Sequence, residues 1–201
     1  MSDHKEGVAE LEAVSVDKKT FDGIDLKSNP LKVGEYEKCR FIDCDLSDAD
    51  LSRIRFIDCD FIRCNLSVAR LSDTSLRDVR FKECKLWGLR FDMCSQFGLS
   101  VSFEGCSLNH STFYRTKIRK TIFKDSQMNE TDFTQCDLTG AVFDVCDLAG
   151  AMFDNSILEK ADFRTSYNYS IDPERNRIRK AKFSIPHVLG LLNKYDIDVG
   201  D

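Results

Sequence analysis

A large apolar residue recurs at every fifth position through most of this chain. Stepping by five from Phe21 gives Leu26, Leu31, Tyr36, Phe41, Leu46, Leu51, Phe56, Phe61, Leu66, Leu71, Leu76, Phe81, Leu86 and Phe91. Gln96 breaks the series, which resumes at Phe103 and runs unbroken to Phe163. In all, 28 of 29 such centres are large and apolar, so the period is imposed by the fold. A period of five suits neither a helix at 3.6 residues per turn nor a plain strand at 2. It suits a short extended stretch followed by a corner. The centre and the residue two before it point inward, the residue between them points outward, and the two residues after the centre turn the chain.

Four such sides make a square coil of twenty residues, and the sequence supports that closure independently. One column reads Phe21, Phe41, Phe61, Phe81 and, after a two-residue insertion, Phe103, Phe123, Phe143 and Phe163, with Phe183 as its extension. A second reads Leu26, Leu46, Leu66, Leu86, Leu108, Met128 and Leu148. A third ends in Phe91, Phe113, Phe133 and Phe153, and a fourth runs from Tyr36 through Phe56 and Leu76 to Ile118, Leu138, Leu158 and Ile178. Like stacks on like at a separation that a period of five alone does not require. The expectation is an all-β solenoid, a quadrilateral β-helix of about eight coils, with neighbouring coils ~4.8 Å apart and a rod roughly 40 Å long.

The position two before each centre is mostly Cys, Ala, Ser, Thr or Val, and all nine cysteines fall there. Cys44, Cys64 and Cys84 share one column, which makes a redox or metal stack conceivable. The alternation of Cys with Ala, Ser and Thr points instead to a small apolar residue in a narrow inner site. An odd cysteine count, no C-x-x-C pair and no secretion signal at Met1 to Gly7 argue against a disulfide framework or a zinc ribbon. No metal or cofactor is expected. No apolar run approaches the ~18 residues of a membrane span, so a cytoplasmic protein with no membrane contact is expected.

The pattern breaks in three places. Around 95–102, Gln96, Phe97, Gly98 and Leu99 carry the insertion, and Phe97 is the one Phe of 15 that is off the register. The bland reading is a bulged corner in which Phe97 or Leu99 fills the site that Gln96 gives up. The functional one is a loop that touches a partner, and two residues are few for a projecting loop. Over 165–180, Asp172-Pro173-Glu174 marks a turn and the last coil loosens. The third break is the tail, 184–201. Ser184 before Pro186 signals a helix start, predicting a short α-helix over 186–195 and then a strand-like Asp196-Ile197-Asp198-Val199. Val188, Leu189, Leu191, Leu192, Tyr195, Ile197 and Val199 are more apolar surface than a simple cap needs. They are expected to form a homodimer interface. Residues 1–18 show no repeat and are read as an N-terminal extension before the solenoid of 19–183.

Three histidines lie apart, and phosphate-binding or nucleophile motifs are absent, so an enzyme is not expected. A net charge of −5 argues against direct nucleic-acid binding. Between Asp125 and Phe163 stand nine acidic residues, Asp125, Glu130, Asp132, Asp137, Asp144, Asp147, Asp154, Glu159 and Asp162, beside one basic residue, Lys160. Arg115, Lys117, Arg119, Lys120 and Lys124 precede them. For any single carboxylate the default is a solvated side chain. Together, on a stiff rod, they are expected to form an acidic partner-binding face.

Stretches such as Ser47-Asp48-Ala49-Asp50-Leu51 and Lys160-Ala161-Asp162-Phe163 resemble the A(D/N)LXX motif of the pentapeptide-repeat family. The resemblance covers about 19–183 and implies a right-handed quadrilateral β-helix. Within the family, the interruption between Leu86-Trp87 and Phe103, and the ending from Asn168-Tyr169-Ser170-Ile171-Asp172 through Lys182-Phe183-Ser184-Ile185-Pro186 to Leu191-Leu192, look like the topoisomerase-protecting branch. That branch holds the Qnr quinolone-resistance proteins and the albicidin-resistance protein, and the ending is most similar to the latter. The resemblance implies a C-terminal dimer and binding to DNA gyrase or topoisomerase IV by partial DNA mimicry. The Qnr proteins carry longer loops than the two-residue insertion here, which sets quinolone protection apart from gyrase binding. A pentapeptide-repeat scaffold with another protein partner is the rival reading.

Overall fold

A computed structural model describes residues 13–185 and 187–200. Eleven short strands occur in it: β1 (Val14–Asp17), β2 (Thr20–Asp22), β3 (Gly34–Glu37), β4 (Arg40–Ile42), β5 (Arg55–Ile57), β6 (Asp60–Ile62), β7 (Ser75–Arg77), β8 (Val79–Lys82), β9 (Val101–Glu104), β10 (Ile122–Lys124) and β11 (Val142–Asp144). They form two wholly parallel ladders, β1-β3-β5-β7 and β2-β4-β6-β8-β9-β10-β11. Each residue pairs with the one twenty positions on, as Phe41 does with Phe61. Across the insertion the step becomes Phe81 to Phe103. Two further ladders consist of single bridges, one through Asp45, Asn65, Lys85, Ser107, Gln127 and Asp147, the other including Asp50 with Arg70 and Thr112 with Asp132. The coil therefore has four sides. We number them 1 to 4 after Phe41, Leu46, Leu51 and Phe56.

The strand ladder of side 1 has seven rungs. The regular solenoid thus makes about seven turns where the sequence suggested about eight. Beyond β11 that side continues only as bridges from Val142 to Asp162 and from Asp162 to Lys182. At the other end the repeat begins earlier than expected. Val14–Asp17, within the supposed extension, pairs with β3. Its alternation, Val14 and Val16 against the core, is too short to stand out as a repeat. Residues 1–12 lie outside the described part.

Both inward positions of each side are buried, as Cys39 with Phe41 and Cys44 with Leu46 illustrate. On side 1 the Phe rings stack face to face, with centroids 4.6 Å apart for Phe41–Phe61, 5.4 Å across the insertion for Phe81–Phe103, and 5.5 Å for Phe163–Phe183. Phe91, Phe113, Phe133 and Phe153 stack likewise on side 3 and meet side 1 edge-on, 6.0 Å from Phe103 to Phe113 at 82°. Offset stacks and edge-on contacts are the favourable aromatic geometries, so the rod is filled by interlocked rings.

Outward residues shape the corners. An Asp or Asn just before a centre accepts a hydrogen bond from the backbone N–H just after it: Asp45 from Ser47 at 2.9 Å, Asn65 from Ser67 at 3.1 Å, Asp132 from Thr134 at 2.8 Å. This side-chain turn is why the repeat favours Asp or Asn there. The second residue after the centre is left-handed at nearly every corner, with φ of 52° at Asp43, 62° at Arg53 and 53° at Val145. Glycine meets that demand at Gly150, while the β-branched Val145 is strained by it.

The nine cysteines are free and buried. Seven of the thiols point to main-chain carbonyls of the coil before, as Cys64 Sγ does to Phe41 O at 3.3 Å and Cys84 Sγ to Phe61 O at 3.3 Å. Ser156 Oγ donates to Phe133 O in the same manner at 2.6 Å, so Cys and Ser are equivalent fillers. Burial pushes the Cys59, Cys136 and Cys146 thiols up to about 12, which keeps them protonated and poor nucleophiles.

The tail differs from the expected α-helix. It makes two 3₁₀ turns, His187–Leu191 and Asn193–Tyr195. Gly190 explains the change. Its carbonyl accepts the Ile171 N–H at 3.0 Å and so is taken from any helical ladder. A Cβ there would lie 2.1 Å from the Tyr169 carbonyl oxygen, so the segment is pressed onto the last coil. Asp196–Val199 forms neither strand nor bridge, and Asp196 is left-handed at φ 48°.

Candidate interaction surface

Chemistry at the surface follows from the four-sided coil. Residues five apart in sequence lie on different sides, and residues twenty apart become neighbours. The nine carboxylates of 125–162 are therefore not on one side. Asp144 and Asp162 lie on side 1, Asp147 on side 2, Asp132 and Asp154 on side 3, and Asp137 and Glu159 on side 4, by their ladder positions. Asp125 and Glu130 occupy left-handed corners. Together they form a belt around the rod.

Cations from the coils before and after reach into this belt. Arg119 binds Asp137, Arg175 binds Asp154 at 3.3 Å, and Arg177 and Arg179 bind Glu159 at 2.9 and 3.2 Å. Asp162 is held by Arg164 at 2.8 Å and Lys182 at 3.5 Å, and Glu130 faces His110 at 3.2 Å. Asp125, Asp132, Asp144 and Asp147 have no cationic partner among the described residues. The hydrogen bond from Arg164 pulls the Asp162 pKa down to about 2. The bonds from Arg177 and Arg179 hold Glu159 low as well. Burial opposes ionisation of Asp137, but hydrogen bonds from Arg119 and Thr139 outweigh it, and its pKa falls below the ordinary value.

The interruption sits on side 4. Ser95 N–H reaches Thr74 O and Ser100 N–H reaches Leu76 O, both at 2.9 Å, so the ladder is stitched on either side of it. Leu99 packs partly against the core. Phe97 does not: it is 78% exposed, with the Arg77 guanidinium 5.1 Å from its ring centre. Gln96 turns out to solvent and bonds back to Cys94 O. Gly98, at φ 73°, makes the turn that lifts the ring.

At the tail, Leu189, Leu192, Tyr195, Ile197 and Val199 are exposed, while Leu191 packs against the core and Val188 is half-buried. Leu189, Leu192, Ile197 and Val199 line one shallow cleft with Asn193 and Asp196. Lys194 ties the tail to the last coil through Asp172 at 2.7 Å and Glu174 at 2.6 Å. The signal that sequence reasoning missed is that Leu191 faces inward, unlike its neighbours.

A furrow along side 1 is lined by Arg80, Lys82, Glu104, Ile122 and Lys124 above the Phe column. Its charges pair among themselves, Lys82 and Lys124 both with Glu104 at 3.7 and 3.6 Å. That is a ladder of ion pairs, with no nucleophile beside a base. No described helix is long and apolar enough to cross a membrane.

A family model described as a pentapeptide repeat region matches residues 35–96 and 99–168. No curated protein sequence matches the chain. Among solved structures, the chain is similar to a trypsin-treated variant of QnrB1, a plasmid-mediated fluoroquinolone resistance protein. That match has 17% identity and a TM-score of 0.59, covering 94% of this chain and 100% of that one. It is also similar to HetL, a pentapeptide repeat protein involved in heterocyst differentiation regulation from a Nostoc cyanobacterium. Here identity is 19% and the TM-score 0.41, over 83% of this chain and 84% of that one. At such identities the likeness concerns the fold.

Proposed function

The chain belongs to the pentapeptide-repeat family, and on that premise we propose that it is a non-enzymatic, cytoplasmic rod that binds a type II topoisomerase by DNA mimicry. The target is DNA gyrase or topoisomerase IV, and the outcome is protection from an antibiotic that acts on that enzyme. The carboxylate belt carries this reading. Duplex DNA presents negative charge all round its axis, and between Asp125 and Asp162 the rod carries carboxylates on all four sides, of which Asp125, Asp132, Asp144 and Asp147 have no cationic partner among the described residues. Side chains on a stacked scaffold keep fixed spacing, so the field is organised. The QnrB1 likeness supports the reading through that protein's role in fluoroquinolone resistance. Protection follows if the rod competes with DNA for a basic groove and so destabilises a drug-trapped complex.

The exposed Phe97 and the apolar tail complete the proposal. Phe97 is an aromatic anchor of the kind enriched at interface centres. The cleft of Leu189, Leu192, Ile197 and Val199 joins two copies end to end into a rod of about twice the length. The ending resembles that of the albicidin-resistance protein, so a gyrase poison of that type is the drug to test beside a quinolone.

A supercoiling titration tests the proposal. The chain should inhibit DNA supercoiling by gyrase at high concentration and rescue supercoiling from a poison at low concentration. A folded protein that does neither leaves the second reading, an interaction module with another protein partner. The cations that already neutralise Asp137, Asp154, Glu159 and Asp162 favour that second reading, because they weaken the DNA-like field.

A further inference from the structure

The sequence Arg115-Thr116-Lys117-Ile118-Arg119-Lys120 recurs as Arg175-Asn176-Arg177-Ile178-Arg179-Lys180. The two are in the same register of the coil. Lys117 is laddered through Asp137 and Ile157 to Arg177. On the corner line, the Lys120 N–H bonds Thr139 O, Gly140 bonds Glu159 O and Lys160 bonds Arg179 O. Each stretch buries its second residue, Thr116 or Asn176, and exposes its four cations. Side 4 of an acidic protein thus carries two matching basic rungs, three coils or about 14 Å apart. Between them lie Asp137, Thr139, Gly140, Ile157 and Glu159. The cations that Asp137 and Glu159 engage among the described residues are Arg119, Arg177 and Arg179, and Lys117, Lys120, Lys160 and Lys180 have no carboxylate partner among them. Over the same coils the opposite side, side 2, carries Asp147 and the corner Glu130, so the rod is also polar across its width there.

We propose that side 4 between residues 115 and 180 docks an extended acidic peptide segment of a protein partner, laid along the rod axis. The spacing is the first argument. About 14 Å is four residues of extended chain at ~3.4 Å each, so carboxylates four residues apart meet the two rungs in turn. The centre of the patch is the second. Ile157, Thr139 and Gly140 are uncharged and Asp137 and Glu159 are already ion-paired to the rung arginines, which leaves a middle less charged than its rim, the anatomy of a protein interface. The third is the net charge of −5, which sets the chain as a whole against a polyanion as dense as duplex nucleic acid. A second copy of the chain fits less well, since the acids of side 2 are not grouped into two bands three coils apart. This surface shares Asp137 and Glu159 with the carboxylate belt but rests on the cations around them, and it stands whether or not the partner is a topoisomerase.

The test uses the full chain and a fluorescein-labelled octapeptide carrying two pairs of glutamates, each residue of one pair four positions from its counterpart. A glutamine version of the peptide and a labelled 16-base-pair duplex are compared by anisotropy at low salt. The glutamate peptide should bind about tenfold or more tightly than the glutamine peptide, and the advantage should fade as salt rises. K117E/K180E should lose that advantage, whereas K27E/K85E on side 2 should keep it. All four lysines are exposed and without acidic partners among the described residues, and the contact of Lys85 with the exposed Trp87 ring lies at the surface, so both variants should retain the wild-type circular dichroism. Equal binding of the two peptides, unchanged affinity in K117E/K180E, an equal loss in K27E/K85E, or tighter binding of the duplex than of the peptide would overturn the proposal.

Discussion

The ring of Phe41 lies flat over the ring of Phe61, centroids 4.6 Å apart and planes 8° from parallel, although a full circuit of chain separates them. The same relation runs from Phe21 to Phe183. Between Phe41 and Phe163 each ring is also wedged edge-on against side 3 or side 4, as Phe41 is against Phe56 at 82°. A ring in this lattice cannot be trimmed without opening a void that its stiff neighbours cannot close.

Phe123→Ala should therefore cost about 3–5 kcal/mol, the range for a fully buried aromatic. Phe97→Ala should stay within about 0.5 kcal/mol, the range for exposed sites. Urea unfolding followed by circular dichroism measures both. Similar midpoints for the two variants would contradict the assignment of Phe123 to the lattice and Phe97 to the surface.

The corners predict a gain. Val68 and Val145 are left-handed at φ 53°, exposed and β-branched. Replacing either by Gly removes backbone strain of order 1–2 kcal/mol, offset by the entropy of Gly in the unfolded chain. Val145→Gly should raise the midpoint of thermal unfolding, and Gly150→Val should lower it.

Acid should weaken the Asp162–Arg164 pair. The folded pKa of Asp162 is about 2, against an ordinary 3.8. A folded pKa below the unfolded one means stabilisation that is complete above about pH 5 and is lost as pH falls toward 2. The stability gap between wild type and Asp162→Asn should therefore shrink steadily between pH 5 and pH 2. A constant gap over that window would show that the Arg164 pair contributes nothing through charge.

The carboxylate belt can be neutralised without disturbing its turns. Asn65 accepts the same turn bond that Asp132 and Asp147 accept. Asp132→Asn/Asp147→Asn should fold as wild type and weaken gyrase inhibition by about tenfold, with a shallower salt dependence. Unchanged inhibition would move the contact away from the belt.

The tail predicts an assembly. Leu189→Asp/Leu192→Asp charges the exposed cleft and leaves Leu191 in its inward site. Sedimentation equilibrium should show a dimer for wild type and a monomer for this variant. A wild-type monomer at micromolar concentration would remove the end-to-end rod.

The square coil was legible because its cause is periodic: a column of identical residues at twenty-residue spacing has no simpler explanation. The tail was less legible, since one glycine carbonyl diverted to Ile171 changed an expected α-helix into two 3₁₀ turns. Val14 and Val16 fell in the N-terminal extension and not in the repeat because one rung is too short to declare a period. The carboxylates were misleading as a linear cluster. Asp137 and Arg119 are eighteen residues apart yet share a hydrogen bond of 2.7 Å, so the balance of charge could be read only after the chain was wound. The same winding brings the rungs at 115–120 and 175–180 onto one side.

The central claim is that twenty residues make one circuit. Nitroxide labels on cysteines introduced at Ser47 and Ala149, both outward on side 2, test it by double electron–electron resonance, the nine native cysteines being buried. Five rungs separate the two sites, so the distance distribution should centre at about 24 Å, broadened by the label arms. A distribution centred beyond about 40 Å, or one as broad as an unfolded chain's, would contradict the winding and everything drawn from it.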